Sequence, residues 1–287
     1  MTSPAGPTGA SFVDLHMHST ASDGSRSPTD VVRAARKASL VAIALTDHDS
    51  VAGLTEAQAA GLELGVRVVR GIELSAVEGE VETHVLGLHL RDTTILDRGL
   101  VDLREMRHQR ARQIVDRLNE LGVTLAFEDV LAQAGVGVVG RPHVARAMIA
   151  EGWATDARDA FDRYLGANRP AFVAKEQLSL RAAISMIHDA GGLAVLAHPG
   201  SGGTRDRIDA MRAIGLDGIE VKHPSHSSSD TTRLRGLCEQ FGLVMSGGSD
   251  WHGAADGPRT IGMMQVPSDW LARQDAQLEA RGRAPAA

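Results

Sequence analysis

The sequence predicts an α/β fold: a parallel sheet or barrel of βα units, interrupted by an inserted helical subdomain. Three observations carry that reading. Short apolar runs of strand length alternate with amphipathic helical patterns. The stretch from about 98 to 176 abandons that rhythm for helical patterns alone. Residues able to bind metal collect at the ends of the apolar runs, the edge where α/β proteins place their sites.

The candidate strands are "FVDL", "VAIAL", "VRVV", "THVLGLHL", "GLAVLA", "GIEV" and "LVMS". Between the first two, "SPTDVVRAARKA" carries a full helix start: Ser27 as N-cap, Pro28 at the first helical position and Asp30 in the first turn. "RAAISMIHDAGG" stops on Gly191 and Gly192 before the next strand. The middle stretch opens with "LVDLREMRHQRARQIVDRLNELG", followed by "FEDVLAQAG", "RPHVARAMIAEG" and "DARDAFDRYLG". The expected organisation is a tail at 1–10, an α/β unit in two parts at 11–97 and 177–270, a helical insertion at 98–176, and a C-terminal tail at 271–287. Arg104, Arg107, Arg110, Arg112 and Arg117 of the first inserted helix alternate with Glu105 and Asp116, which reads as a solvated face.

With 287 residues, 43% of them hydrophobic and 23% charged, the composition is that of a globular protein. A net charge of −6 argues against a broad nucleic-acid-binding surface, since affinity for long polymers rests on many phosphate contacts. The single cysteine, Cys238, excludes an intrachain disulfide and a thiolate-rich metal site, and its helical context reads as buried core. No apolar run reaches membrane-spanning length, and "MTSPAGPTGA" lacks the pattern of a signal peptide. The expected compartment is the cytoplasm.

The chemistry lies in the polar residues at the strand ends. His16 and His18 end the first candidate strand, and Asp23 follows in a small Gly- and Ser-rich loop. His48 follows "VAIALTD", Glu73 follows "VRVVRGI", His198 follows "GLAVLA", and Asp250 with His252 follow "LVMSGGS". Residues i and i+2 of an extended chain face the same side, so each of the pairs His16/His18 and Asp250/His252 can reach one ion. His84 stands at the front of its strand and joins the others only if that strand runs antiparallel. Imidazole and carboxylate without thiolate suit Zn²⁺, Mn²⁺ or Fe²⁺. Asp47 and Asp49 flank His48 and read as supports or capping groups, Asp14 either orients a ligand imidazole from beneath or points to the site, and His89, His108 and His188 carry no motif.

The series "DLHMHSTASDG", "ALTDHDS", "GIELS", "LAHPG" and "GGSDWHG" resembles the successive metal-binding motifs of the PHP (polymerase and histidinol phosphatase) family of phosphoesterases. "GRPHVA" in the insertion and "GIEVKHPSHS" are similar to its branch of nucleoside 3′,5′-bisphosphate phosphatases, AMP phosphatases and 5′→3′ exoribonucleases. The resemblance implies a distorted (β/α)7 barrel with three divalent ions at its mouth, Mn²⁺ foremost, with Zn²⁺ or Fe²⁺ as alternatives. It implies that His16, His18, Glu73 and Asp250 hold one ion, that Glu73 with His84 and His198 holds a second, and that Asp23, His48 and His252 hold a third. The expected reaction is hydrolysis of a nucleotide phosphate monoester by a metal-bridging hydroxide, with a 3′,5′-bisphosphate or AMP as substrate. Arg141, His143 and His226 are the expected catalytic contacts, and Lys175 and His223 further substrate contacts. Pro142 opens a helix whose N-terminal amides favour anions, and an arginine fork suits phosphate. Rival readings are an exoribonuclease acting on short RNA, a histidinol phosphate phosphatase and a metal-dependent binding module.

Overall fold

The computed structural model of the chain describes residues 11–79, 81–135, 139–174, 178–254, 257 and 259–282, and only the backbone of 102–104. In chain order the first half comprises β1 (Phe12–Asp14), α1 (Pro28–Lys37), β2 (Ala42–Leu45), α2 (Leu54–Leu64), β3 (Arg67–Glu78) and β4 (Val81–Leu88). Helices α3 (Thr93–Glu120), α4 (Phe127–Ala134), α5 (Arg141–Ala150) and α6 (Ala157–Ala160) follow, and α6 runs on into a π-helical turn at Phe161–Leu165. The chain then forms α7 (Leu180–Asp189), β5 (Leu193–Leu196), α8 (Arg205–Ala213), β6 (Gly218–Lys222), α9 (Ser228–Phe241), β7 (Val244–Gly247), β8 (Val266–Pro267) and α10 (Ser268–Ala280).

Local chemistry sets several of these boundaries. The Ser27 hydroxyl accepts from the Asp30 amide to start α1, which turns Val31, Val32 and Ala35 into the core. Helix α2 ends on Gly65 at φ +68°, a conformation that favours glycine.

The sheet runs β7-β6-β5-β4-β3-β2-β1-β8. Neighbours are parallel except around β4, which is antiparallel to both β3 and β5, and at β8, which is antiparallel to β1. Beyond β1 the chain also bonds to the end of β7. Leu15 N donates to Gly247 O, Asp250 N to His16 O and His18 N to Trp251 O, so seven strands nearly close into a barrel. That seam requires Gly248, where an added Cβ would lie 2.4 Å from His16 Cβ. Leu15, Ile43, Leu45, Ile72, Leu74, Leu86 and Leu88 are fully buried in and around the barrel. Each contributes roughly 1.5–3 kcal/mol relative to exposure. A separate apolar cluster joins α3, α4 and α5 through Ile114, Leu118, Val130, Val144 and Met148. No helix among the described residues is long and apolar enough to cross a membrane.

All seven candidate strands form, and Cys238 is buried, but three features differ from expectation. β3 continues to Glu78 because it pairs with β4 over the whole of Gly71–Glu78, making a hairpin that rises past the barrel rim. Glu73 therefore sits inside a strand rather than after one. The two-residue β8 carries too little pattern to be visible in sequence. The expected tail from 271 instead holds most of α10, anchored by buried Trp270, Leu271, Gln274 and Leu278. Residues 1–10 lie outside the described residues.

Candidate metal centre

Strand alternation builds the mouth of the barrel. Leu15 and Met17 turn into the core, with Met17 bridged in parallel to Trp251, while His16 and His18 turn the other way. Their rings lie 5.2 Å apart, centre to centre. Antiparallel β4 brings His84, near its start, to the same edge. All nine candidate ligands meet there.

Glu73 is the hub. Its Oε2 lies 3.2 Å from His16 Nε2, 3.3 Å from His18 Nε2 and 3.1 Å from His48 Nδ1. Its Oε1 lies 2.8 Å from His84 Nδ1 and 3.0 Å from His198 Nε2. Asp250 Oδ1 adds a contact of 3.0 Å to His18 Nε2 and of 3.5 Å to His16 Nε2. On the far side, Asp23 Oδ1 is 3.3 Å from His252 Nε2 and 4.0 Å from His18 Nδ1. The His18 ring stacks against those of His48 and His252 at 4.5 and 4.2 Å. Ligand atoms converge within 4.8 Å in the groups His16/His18/Glu73/Asp250, His48/Glu73/His84 and His18/Asp23/His48/His252. His48 thus reaches two groups rather than one.

The donor set fits divalent cations. Buried His16 Nε2, both nitrogens of His18, His48 Nδ1 and Glu73 Oε2 have no hydrogen-bond partner among the described residues, and these residues belong to the convergent groups, His18 to two of them. Leaving so many polar atoms unsatisfied is costly unless a cation takes them. Charge agrees with this. Burial opposes ionisation of Glu73 and Asp250, yet the surrounding histidines hold both carboxyls well below their ordinary range. Burial likewise opposes the His18 cation, but Asp250 and Glu73 hold its pKa up at about 10. At His48 burial wins and the pKa falls to about 3, which keeps a neutral lone pair available.

A ring of acids braces these ligands. Glu220, fully buried, faces His16 Nδ1 at 3.0 Å through Oε1 and accepts from the His198 amide at 2.7 Å through Oε2. The first contact turns His16 Nε2 to the centre. Asp47 accepts from the amide and hydroxyl of Ser19 and from the Ser22 hydroxyl, each at 2.7 Å. Asp49 takes the Ser75 amide at 2.8 Å and pairs with Arg107. Asp14 accepts from the amides of Ser249 and Gly262, both at 2.9 Å, and burial raises its carboxyl pKa to about 6. Asp49, His198 and Asp250 all have positive φ, at +46°, +29° and +50°. Such strain persists where surrounding contacts over-determine it.

Two cavities flank the centre and share His48 and His84. One, of about 300 Å³, is lined by Glu73, His198, His223, Ser225, Asp250, His252 and Arg259. The other, of about 180 Å³, lies under the inserted helices and is lined by Ser22, Asp23, Glu82, Arg107, Arg110, Arg141, His143 and Phe161. Arg141 faces Glu82 of β4 at 3.7 Å and lies over the rings of Phe161 and Phe172. His143 is buried, and its Nδ1 accepts from the Gly140 amide, so the ring proton sits on Nε2, on the side of the Ser22 backbone. Burial, with Arg146 nearby, lowers its pKa to about 4. His223 lines the larger cavity, its Nδ1 accepting from the Ser225 amide. His226 lines neither cavity: Nε2 accepts from Gly200 N and Nδ1–H donates to Val221 O. Lys175 lies outside the described residues.

The inserted arginines correct the solvated-face reading. Arg107 and Arg110, one helical turn apart, face the barrel and line the smaller cavity, with Arg110 also donating to Val173 O. Arg112 and Arg117 are exposed, the first lying over the Phe127 ring and the second donating to Phe172 O. The sequence alone assigns no functional role to three residues: Glu220, Arg107 and Arg259. Glu220 lies inside "GIEVKHPSHS" as a lone glutamate in the apolar "GIEV".

A family model for the PHP domain matches residues 14–176. The chain is 36% identical over 257 residues to a 3′,5′-nucleoside bisphosphate phosphatase of Chromobacterium violaceum, covering 87% of this chain and 90% of the relative. It is also 36% identical over 245 residues to a 5′-3′ exoribonuclease of Haemophilus influenzae, covering 83% and 89%. Similarity at 36% identity over 245 residues extends to a phosphoribosyl 1,2-cyclic phosphate 1,2-diphosphodiesterase of Eggerthella lenta, covering 84% and 94%. Among solved structures, a protein of Bifidobacterium adolescentis assigned as a metal-dependent phosphoesterase superposes with a TM-score of 0.87 at 31% identity, covering 94% and 97% of the two chains. An amidohydrolase of Chromobacterium violaceum, solved with sulfate and no metal, gives 0.81 at 33%, also covering 94% and 97%. With its barrel and its convergent imidazoles and carboxylates, the chain belongs to the PHP-domain family of metal-dependent phosphoesterases.

Proposed function

We propose that the protein removes a phosphate from a small nucleotide, a 3′,5′-nucleoside bisphosphate or AMP, using three divalent ions, Mn²⁺ foremost. One observation carries this reading: a cavity bearing three arginines opens directly onto the ligand cluster through shared His48 and His84. His16, His18, Glu73 and Asp250 would hold one ion; Glu73, His84 and His198 a second; Asp23, His48 and His252 a third. Such ions, when bound, lower the pKa of water from 15.7 toward about 7 and screen phosphoryl charge.

The chain's own residues then bind, orient and protonate. Arg110 and Arg141 bind the phosphate remote from the ions, their planar forks matching its oxygens. His143 lines the same cavity with its ring proton on Nε2 and would contact the same phosphate. His223, with Nδ1 already accepting, carries its proton on Nε2 beside Asp250 and is placed to deliver it to the leaving oxygen. The inserted helices roof the smaller cavity and so favour a mononucleotide over a continuing strand.

The test is a panel assayed after chelation and reconstitution with Mn²⁺, Zn²⁺ or Fe²⁺: a 3′,5′-bisphosphate, AMP, histidinol phosphate and 5′-phosphorylated oligoribonucleotides. The bisphosphate or AMP is expected to give the highest kcat/KM. Faster degradation of oligoribonucleotides than of every mononucleotide would replace this reading with an exoribonuclease.

A further inference from the structure

Arg259 follows the Asp250/His252 pair in the loop after β7, and no recognised motif includes it. Among the lysines and arginines of the described chain it alone lines the 300 Å³ cavity beside the ligand cluster. Its Nη1 touches Asp250 twice, at Oδ2 and at the backbone carbonyl, while its Nη2 and Nε meet no partner among the described residues. Its side chain is 41% exposed, so the fork can swing without repacking the core. Asp250 presents its two oxygens to different partners: Oδ1 faces His16 and His18, whereas Oδ2 faces Arg259 and His223.

We propose that Arg259 binds the reacting phosphoryl group and rests on Asp250 until a substrate arrives. The inference builds on the phosphoesterase site described above and adds a residue to it. At Oδ2 the guanidinium is the counter-charge of Asp250. A cation held through Oδ1 would shield Asp250 and repel the guanidinium a few ångströms away, loosening the pair. A phosphoryl dianion in the same cavity then offers the fork two oxygens in bidentate geometry, a better partner than one shielded carboxylate. The three arginines of the other cavity lie beyond His48 and His84, so each end of a substrate would meet its own guanidinium.

Binding measurements test this without turnover. Mn²⁺ affinity of the metal-free protein, and inorganic phosphate affinity of the Mn²⁺-loaded protein, are to be measured by calorimetry for wild type, Arg259→Met and Arg259→Lys. Arg259→Met is expected to weaken phosphate binding about tenfold, the loss of a charge-assisted contact, while Mn²⁺ affinity stays equal or rises. Arg259→Lys is expected to recover part of the phosphate affinity. Unchanged phosphate affinity in Arg259→Met overturns the proposal. So does a parallel fall in Mn²⁺ affinity, which would make Arg259 a brace for Asp250 alone. Failure of the nucleotide reading is a separate result, seen as wild-type protein that hydrolyses no monoester.

Discussion

The barrel mouth and the arginine wall above it face each other across His48 and His84, yet they are built by opposite means. At the mouth, imidazoles and carboxylates stand on strand ends fixed by the sheet, braced from beneath by Glu220, Asp47, Asp49 and Asp14. On the wall, guanidiniums project from two inserted helices and lean on carbonyls, aromatic faces and single acids. The first region is over-determined and negative; the second is adaptable and positive. On the proposed reading, a dianionic ester would approach the mouth only once its carboxylates are neutralised, whereas the wall would bind the far end of a substrate at once. Chemistry and selection are therefore separable, and mutations should separate them.

The largest expected effect comes from the hub. Glu73→Gln removes the charge shared by five histidines and should lower kcat by more than about 100-fold, beyond the usual range for a bracing residue. Activity within threefold of wild type would break the claim that the mouth performs the chemistry. Glu220→Gln comes next. Losing this brace on His16 and His198 should cost about 10–100-fold in Mn²⁺ affinity, measured by competition with a chelating dye, with recovery of kcat at saturating metal. Arg141→Ala belongs to the other region: KM for a bisphosphate should rise about tenfold with kcat nearly unchanged. A matching fall in kcat would merge the two regions into one.

The smallest effect lies outside both. His89 is buried beneath α10 with Nε2 3.0 Å from Gln274 Oε1, and burial lowers its pKa. The folded protein thus binds this proton less readily than the unfolded chain, whose histidine titrates near 6.5. This contribution to stability is complete above about 6.5 and declines as pH falls below it. Urea unfolding at pH 8 and pH 5.5 should show a smaller pH-dependent loss in His89→Gln than in wild type. An equal loss would place the titrating group elsewhere.

The same contrast explains what was legible in the sequence. Ligands at the mouth come in pairs set by strand periodicity, so H-x-H and D-x-H announce themselves, and the antiparallel course of β4 accounts for His84 at its strand's start. Glu220 hid inside "GIEV" because a strand pattern does not reveal which side chain meets His16 across the barrel. Arg107 and Arg110 share a helix with exposed Arg112 and Arg117, and the docking of α3 over the mouth decides which of them face the site. Arg259 comes from a loop with no periodicity at all. Order set by local geometry could be read; order set by the packing of distant elements could not.

The most direct test of the division between mouth and wall is a ratio of specificities. The value of kcat/KM for a 3′,5′-nucleoside bisphosphate, divided by that for the nucleotide lacking the second phosphate, is to be measured in wild type and in the Arg110→Ala/Arg141→Ala double variant with Mn²⁺ saturating. The wild type should favour the bisphosphate, and the variant should lose about tenfold or more of that preference while its rate on the monophosphate holds. An equal fall on both substrates, with the ratio unchanged, would contradict the account.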